Sequence, residues 1–273
     1  LSDKADGVYP LYWSEGDAIS ANGVASAALT AQQAGSDKAT FAVDGALTAP
    51  YCIAYPAAPA GQVLFADKQS YVDNTTFGSG VATMYAYSTD GLSLGLKHLT
   101  GVLKIGVVGS AKIVLAQISN ANRQPIAGAF EFDFEKGEVV KATDSAKEVI
   151  EYSFGEGVQL SSEPTYLHIA VPAGQYDELY VTLYDTDGGV MYATIKADET
   201  KPLAAGKIRE FSNNIIYTAT ESVFVIRDVA SLKAFAAEAA TLTQDVLFVA
   251  DVDLTGEAWT PIDGYKGTVI GNG

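Results

Sequence analysis

Between residues 127 and 134 the chain alternates in its plainest form. Phe130, Phe132 and Phe134 fall on one face, Glu131 and Asp133 on the other. A helix would scatter those rings around its surface. A strand, with a two-residue period, sets all three against one core. The same period runs through 112–119, where Ile113, Leu115, Gln117 and Ser119 alternate with Val114, Ala116 and Ile118. It predicts further strands over 8–13, 17–21, 38–44, 51–55, 63–66, 84–87, 92–96, 99–108, 149–154, 166–171, 178–184, 190–196 and 208–219. Turn chemistry separates them. Asp6-Gly7, Ser14 to Asp17, the Pro-rich 56–61, the polar 73–80, Ser88 to Gly91, Gly109-Ser110-Ala111 and Asp185 to Gly189 all carry residues that favour reversal.

One stretch breaks the pattern. Over 228–240 the apolar positions Val229, Leu232, Phe235, Ala236 and Ala239 recur at helical spacing, and Asp228 is placed to cap the start. A strand over 246–250 follows. Short strands at regular spacing with one helix predict an all-β chain of sandwich type. The predicted division is a turn-rich β-sandwich domain over 1–95, a more regular one over 96–219, and a helix-led segment over 220–273. Leu96 to Val108 reads as the opening strand of the second domain.

Length and composition agree with a globular chain: 273 residues, 48% of them hydrophobic. The net charge of −16 is spread so that each of the three parts is negative, with no basic patch. That argues against nucleic acid and anionic membrane surfaces as partners. Cys52 is the single cysteine, so no intrachain disulfide forms; between Tyr51 and Ile53 it reads as a small buried hydrophobe. No apolar run reaches the ~18 residues of a membrane-crossing helix. The chain opens on Leu1 and not on Met, which we read as a trimmed N-terminus that leaves export open.

Candidate chemistry is sparse. His98 and His168 sit in predicted strands and in no paired-histidine motif, and both read as structural. There is no Gly-x-Ser-x-Gly elbow, and Gly101 and Gly106 lie in a strand, not in a phosphate-cradling loop. Asp185-x-Asp187-Gly188 and Asp251-x-Asp253 open like calcium loops. Their twelfth positions are Lys196 and Ile262, where a bidentate Glu is required, so both read as turns. No catalytic, cofactor-binding or metal-ligating residue is assigned, and no cofactor is expected.

The order of several short stretches is more telling. Tyr12 to Ile19 resembles the W-x-x-G-D-x-I stretch near the start of the fimbrillin family of Bacteroidales. Tyr51 to Pro56 is similar to that family's tyrosine–proline strand, and Met84-Tyr85-Ala86 stands before the domain change as it does there. Leu96 to Ile105 resembles a family strand, with Gly101 near where Ala is usual; Ile126 to Gly128 and Leu203 to Lys207 resemble two later features. The resemblance spans about residues 1–218. It implies two transthyretin-like β-sandwich domains on a lipid-anchored outer-membrane surface protein, with roles in adhesion or pili. It also implies assembly by proteolytic trimming and strand exchange between subunits. Arg123, Arg209 and Arg227 are the only arginines, and none lies near the N-terminus, which sets this chain apart from the processed family pattern.

The last 50 or so residues resemble the cap and first coil of a right-handed parallel β-helix, a module whose coils need neighbours. The expectation is therefore of further coils beyond Gly273. The expected function is a non-enzymatic adhesion protein or pilus subunit, with other subunits or surface receptors, glycans among them, as partners. The alternatives are a carbohydrate-binding surface lipoprotein and the non-catalytic leading part of a β-helix polysaccharide-degrading enzyme.

Overall fold

The computed structural model describes residues 10–91, 93–196 and 202–271. The strands of the first part are β1 (Ser20–Ala21), β2 (Val24–Ala25), β3 (Tyr51–Tyr55), β4 (Gln62–Phe65), β5 (Lys68–Ser70), β6 (Met84–Ser88) and β7 (Lys97–His98). Asn22 and Gly23, both at positive φ, make the tight turn between β1 and β2. The five-stranded sheet runs β2-β1-β3-β6-β7, antiparallel throughout.

Next come β8 (Thr100–Val108), β9 (Lys112–Asn120), β10 (Gly128–Asp133), β11 (Glu138–Ala142), β12 (Val149–Gln159), β13 (Thr165–Pro172), β14 (Glu178–Asp185) and β15 (Gly189–Lys196). Three short strands follow: β16 (Ile208–Glu210), β17 (Ile215–Ile216) and β18 (Glu221–Ser222). A six-stranded sheet, β18-β15-β14-β9-β12-β5, faces a smaller sheet in which β13 and β16 flank β8 and β17 continues alongside it. Between them lies the largest core. Leu103, Ile105 and Val107 of β8 and Leu167, Ile169 and Val171 of β13 meet Ile118, Ile150, Tyr152, Val181 and Leu183 of the facing sheet. Each such side chain removed from water stabilises the fold by about 1.5–3 kcal/mol. The chain is an all-β sandwich protein, as the alternation predicts.

The predicted strand 96–108 is split: β7 adds to the five-stranded sheet of the first part and β8 opens the next sheet, and two further segments cross the 95/96 division in opposite directions. The hairpin of β10 and β11 pairs with β4, forming a three-stranded sheet. Its Phe130, Phe132 and Phe134 pack with Ala54, Val63, Phe65 and Tyr85 of the first part. In the other direction, β5 leaves the first part to lie parallel to β12, with Gln69 opposite Tyr152.

That excursion also closes an edge. β13 ends its sheet, so its outward backbone groups need partners. Gln69 supplies two: its Oε1 accepts the Ala170 N–H at 2.9 Å, and its Nε2 donates to the Ala170 carbonyl at 2.7 Å. Asn74 Oδ1 accepts the Tyr166 N–H at 2.9 Å, and the Tyr152 hydroxyl accepts the His168 N–H at 3.4 Å. Side chains stand in for a missing neighbour strand.

The C-terminal part has β19 (Phe224–Ile226), α1 (Val229–Glu238), β20 (Val246–Phe248) and β21 (Val269–Gly271). The three strands are parallel, with Val225, Leu247 and Ile270 in one row. Asp228 caps α1 reciprocally with Ser231: each side chain bonds the other's backbone N–H. Leu232 and Phe235 bury against Ile226 and Val246, while Leu247 and Ile270 pack on Leu115, Tyr184 and Val190 of the six-stranded sheet.

Some predicted strands differ. Residues 38–44 alternate but find no partner beyond a single bridge from Val43 to Ser26. Residues 10–13 and 93–96 are not strands; Val8, Tyr9 and Leu92, predicted with them, and Asp6-Gly7 lie outside the described residues. The strand predicted over 208–219 is two short ones, interrupted by a bend within residues 211–214. β11 was missed, because Glu138 to Lys141 are all exposed and show no burial period.

Candidate functional site

The face of the five-stranded sheet turned away from the phenylalanine core carries an open groove of about 1210 Å³. Strand alternation decides which residues line it. Ile53 and Tyr55 of β3, Met84 of β6 and His98 of β7 point to this side, while Ala54 and Tyr85 point to the core. Trp13 and Phe41 form one wall, and Leu94 and Leu96 contribute to another.

The aromatic wall is built around Asp17. Gly16 takes a positive φ, which lets the chain reverse. The Asp17 carboxylate then accepts the Ser14 N–H at 2.7 Å and the Tyr55 hydroxyl at 2.7 Å. The same hydroxyl accepts the Gly80 N–H at 2.9 Å. Burial, reinforced by Asp17, raises the Tyr55 hydroxyl far above the usual phenol range, so it stays a protonated donor. Trp13 stands edge-on to Tyr55, ring centres 5.0 Å apart, and edge-on to Phe41 at 4.9 Å. Such pairs add about 0.5–1.5 kcal/mol each beyond burial. Ser36 O and Gly35 N–H fix the Trp13 backbone.

Stretches that stand far apart in the sequence converge here. Tyr12 to Asp17, Tyr51 to Tyr55, Met84 and the Leu96–His98 stretch all contribute lining residues. His98 lies opposite Met84 in register and beside Gly206, where a Cβ would come within 3.1 Å of the imidazole. Leu203 likewise fills the space a side chain at Gly101 would need. Burial holds the His98 imidazole below its ordinary range, so it is neutral at pH 7. The groove thus offers apolar and aromatic surface. Its one buried carboxylate already holds two donors.

The remaining singled-out residues lie elsewhere. His168 is 3% exposed, opposite Lys104, with Nδ1 buried and unpartnered; burial and then the Lys104 charge lower its pKa. Cys52 is half-buried beside the phenylalanine cluster, and burial pushes its thiol up. Asp185 Oδ1 accepts the Asp187 and Gly189 N–H groups, and Oδ2 accepts the Tyr217 hydroxyl. Asp253 accepts the Thr255 N–H. Both carboxylates hold their own turns. Among the described residues no cluster of His, Cys, Asp or Glu could hold a metal ion. No helix among them is long and apolar enough to cross a membrane. Sequence reasoning missed Phe41 as a groove residue; its place in the 38–44 alternation was the available signal.

No protein family matches the chain, and no curated protein does. Among solved structures, a Bacteroides fragilis protein provisionally named a cell adhesion protein is similar at a TM-score of 0.37 and 13% identity. The match covers 82% of this chain and 94% of that one.

Proposed function

We propose that this chain is a cell-surface adhesion protein or pilus subunit that works by binding and assembly, not catalysis. The groove would seat an extended segment of another polypeptide. One observation carries the reading. The separate stretches that resemble fimbrillin proteins, from Tyr12 to Asp17, Tyr51 to Tyr55 and Leu96 to His98, line a single aromatic groove. A groove that exposes ring edges and strand faces suits an apolar, extended guest. The same resemblance supports a place on the outer surface, held by a lipid anchor.

A deletion strain tests this. Loss of surface fibres or of cell attachment, restored by the wild-type gene, supports the reading. Restoration should fail with a Trp13→Ala, Phe41→Ala variant whose circular dichroism remains that of a folded β protein. A deletion strain with unchanged fibres and attachment overturns it.

A further inference from the structure

The outer face of the six-stranded sheet is only partly covered. Val190, Tyr184 and Leu115 form one row across it and lie beneath the C-terminal strands. The next two rows are open. Thr182 stands between Tyr192 and Gln117, and Gln117 pairs with Glu151; beside them Tyr180 pairs with Ser119. Tyr180 is 45% and Tyr192 59% exposed, among the largest exposed side chains of the chain.

We propose that this open face binds an uncharged glycan. This deepens the adhesive reading by naming the class of partner, and to that extent rests on it. The two tyrosines sit on adjacent strands one row apart, a diagonal spacing of about 7–8 Å. Their rings offer a flat place for the C–H faces of successive pyranose units. The polar groups between them are positioned to meet hydroxyls. The Tyr184 hydroxyl donates to Gln117 Oε1 at 3.1 Å, which leaves the amide nitrogen to donate outward. The Tyr192 hydroxyl reaches Glu221 Oε2 at 3.3 Å, steadying the ring in advance of any ligand. A cleft of about 320 Å³, lined by Asp67, Lys147, Glu148, Val149 and Glu151, opens beside the Glu151 end of the row.

Charge selects among partners. The centre of the face carries hydroxyls and an amide, with ionised groups at its ends, Glu221 beside Tyr192 and Glu151 opposite Lys68, and the chain as a whole is at −16. Polyanions such as nucleic acids or sulfated glycans are repelled. A protein partner would want a broader apolar centre than Tyr180, Tyr192 and Val149 supply among Thr182, Gln117, Ser119 and Glu151. A chain of neutral sugars needs stacking rings flanked by hydroxyl, amide and carboxylate partners.

The test is affinity electrophoresis of the whole chain through gels containing amylose, mannan, galactan or xyloglucan, with heparin as the anionic control. At least one neutral polymer should retard the chain, and heparin should not. Tyr180→Ala and Tyr192→Ala should each weaken retardation about tenfold, as truncated aromatic anchors do. Both should melt within about 2 °C of wild type, since exposed side chains hold little of the fold. The inference is overturned if no neutral polymer retards the chain, if the double variant is retarded like wild type, or if heparin is the ligand. Cell attachment that survives in the double variant but fails in the Trp13, Phe41 variant removes the glycan site and leaves adhesion standing. Tyrosine-dependent retardation alongside a deletion strain that attaches normally removes adhesion and leaves the glycan site.

Discussion

Phe132→Ala asks whether the parts on either side of the 95/96 division form one folding unit. Phe132 is 5% exposed, 4.8 Å ring to ring from Tyr85 and 4.9 Å from Phe134. By position in the chain it lies beyond the 95/96 division; by contact it belongs to the core of the first part. Deleting a buried phenylalanine ring costs about 3–5 kcal/mol, the transfer loss plus the void. At about 2 °C per kcal/mol for a chain of this length, the midpoint should fall by about 6–10 °C. The assay uses the scarcity of tryptophan. The chain has 2, Trp13 in the groove wall and Trp259 in the C-terminal part, so a Trp259→Phe background leaves Trp13 as reporter of the first part. Thermal unfolding followed by Trp13 emission should show the full drop. A Trp13 transition unmoved by Phe132→Ala, with loss confined to the remainder of the chain, would refute the interleaved core.

Three further outcomes follow from local contacts. Gln69→Leu keeps the volume but leaves the Ala170 N–H and carbonyl buried without partners, so urea unfolding should show a loss of about 3 kcal/mol. Asp17→Ala strips partners from Ser14 N–H and the Tyr55 hydroxyl; a loss of about 2–4 kcal/mol and a red-shifted Trp13 emission are expected. For pH, His168 has a folded pKa below its unfolded value, so the unfolded chain binds the proton first as pH falls. Stability from this residue is complete above about pH 6.5 and declines as pH drops toward the folded pKa, by at most about 1.4 kcal/mol per pH unit. Denaturation midpoints between pH 7.5 and 5 should show that decline, and His168→Leu should flatten it; an unchanged slope in the variant would exclude His168 as its source.

The sequence made faces legible and partners much less so. Phe130, Phe132 and Phe134 announce that they share a core, but a two-residue period does not say which sheet lies opposite, and here it is the one across the division. β5 carries no hydrophobic period at all; its place is set by parallel pairing with β12 and by the two-pronged reach of Gln69. Residues 38–44 have the alternation of a strand without a neighbour to bond, so alternation there yields groove lining instead. Where turn chemistry and capping are local, reading was direct: Asp228 caps α1 as its position predicts, and Asp185 holds the turn into β15. The groove was legible only in fragments, because its floor comes from four strands and its walls from segments with no regular structure.

The crossing hairpin also sets a timetable. A ribosome that has released residue 98 has made the strands of the five-stranded sheet but not the strands that cover its inner face, which end at Ala142. At about 5–20 residues per second, the intervening stretch takes about 2–10 s to appear. Through that interval Ala54, Phe65 and Tyr85 lack Phe130, Phe132 and Phe134 to pack against. The nascent chain is therefore obliged to wait, sticky on one side, for sequence not yet translated. A mutation that slowed synthesis between β7 and β11 would lengthen the exposure without altering one contact of the finished molecule.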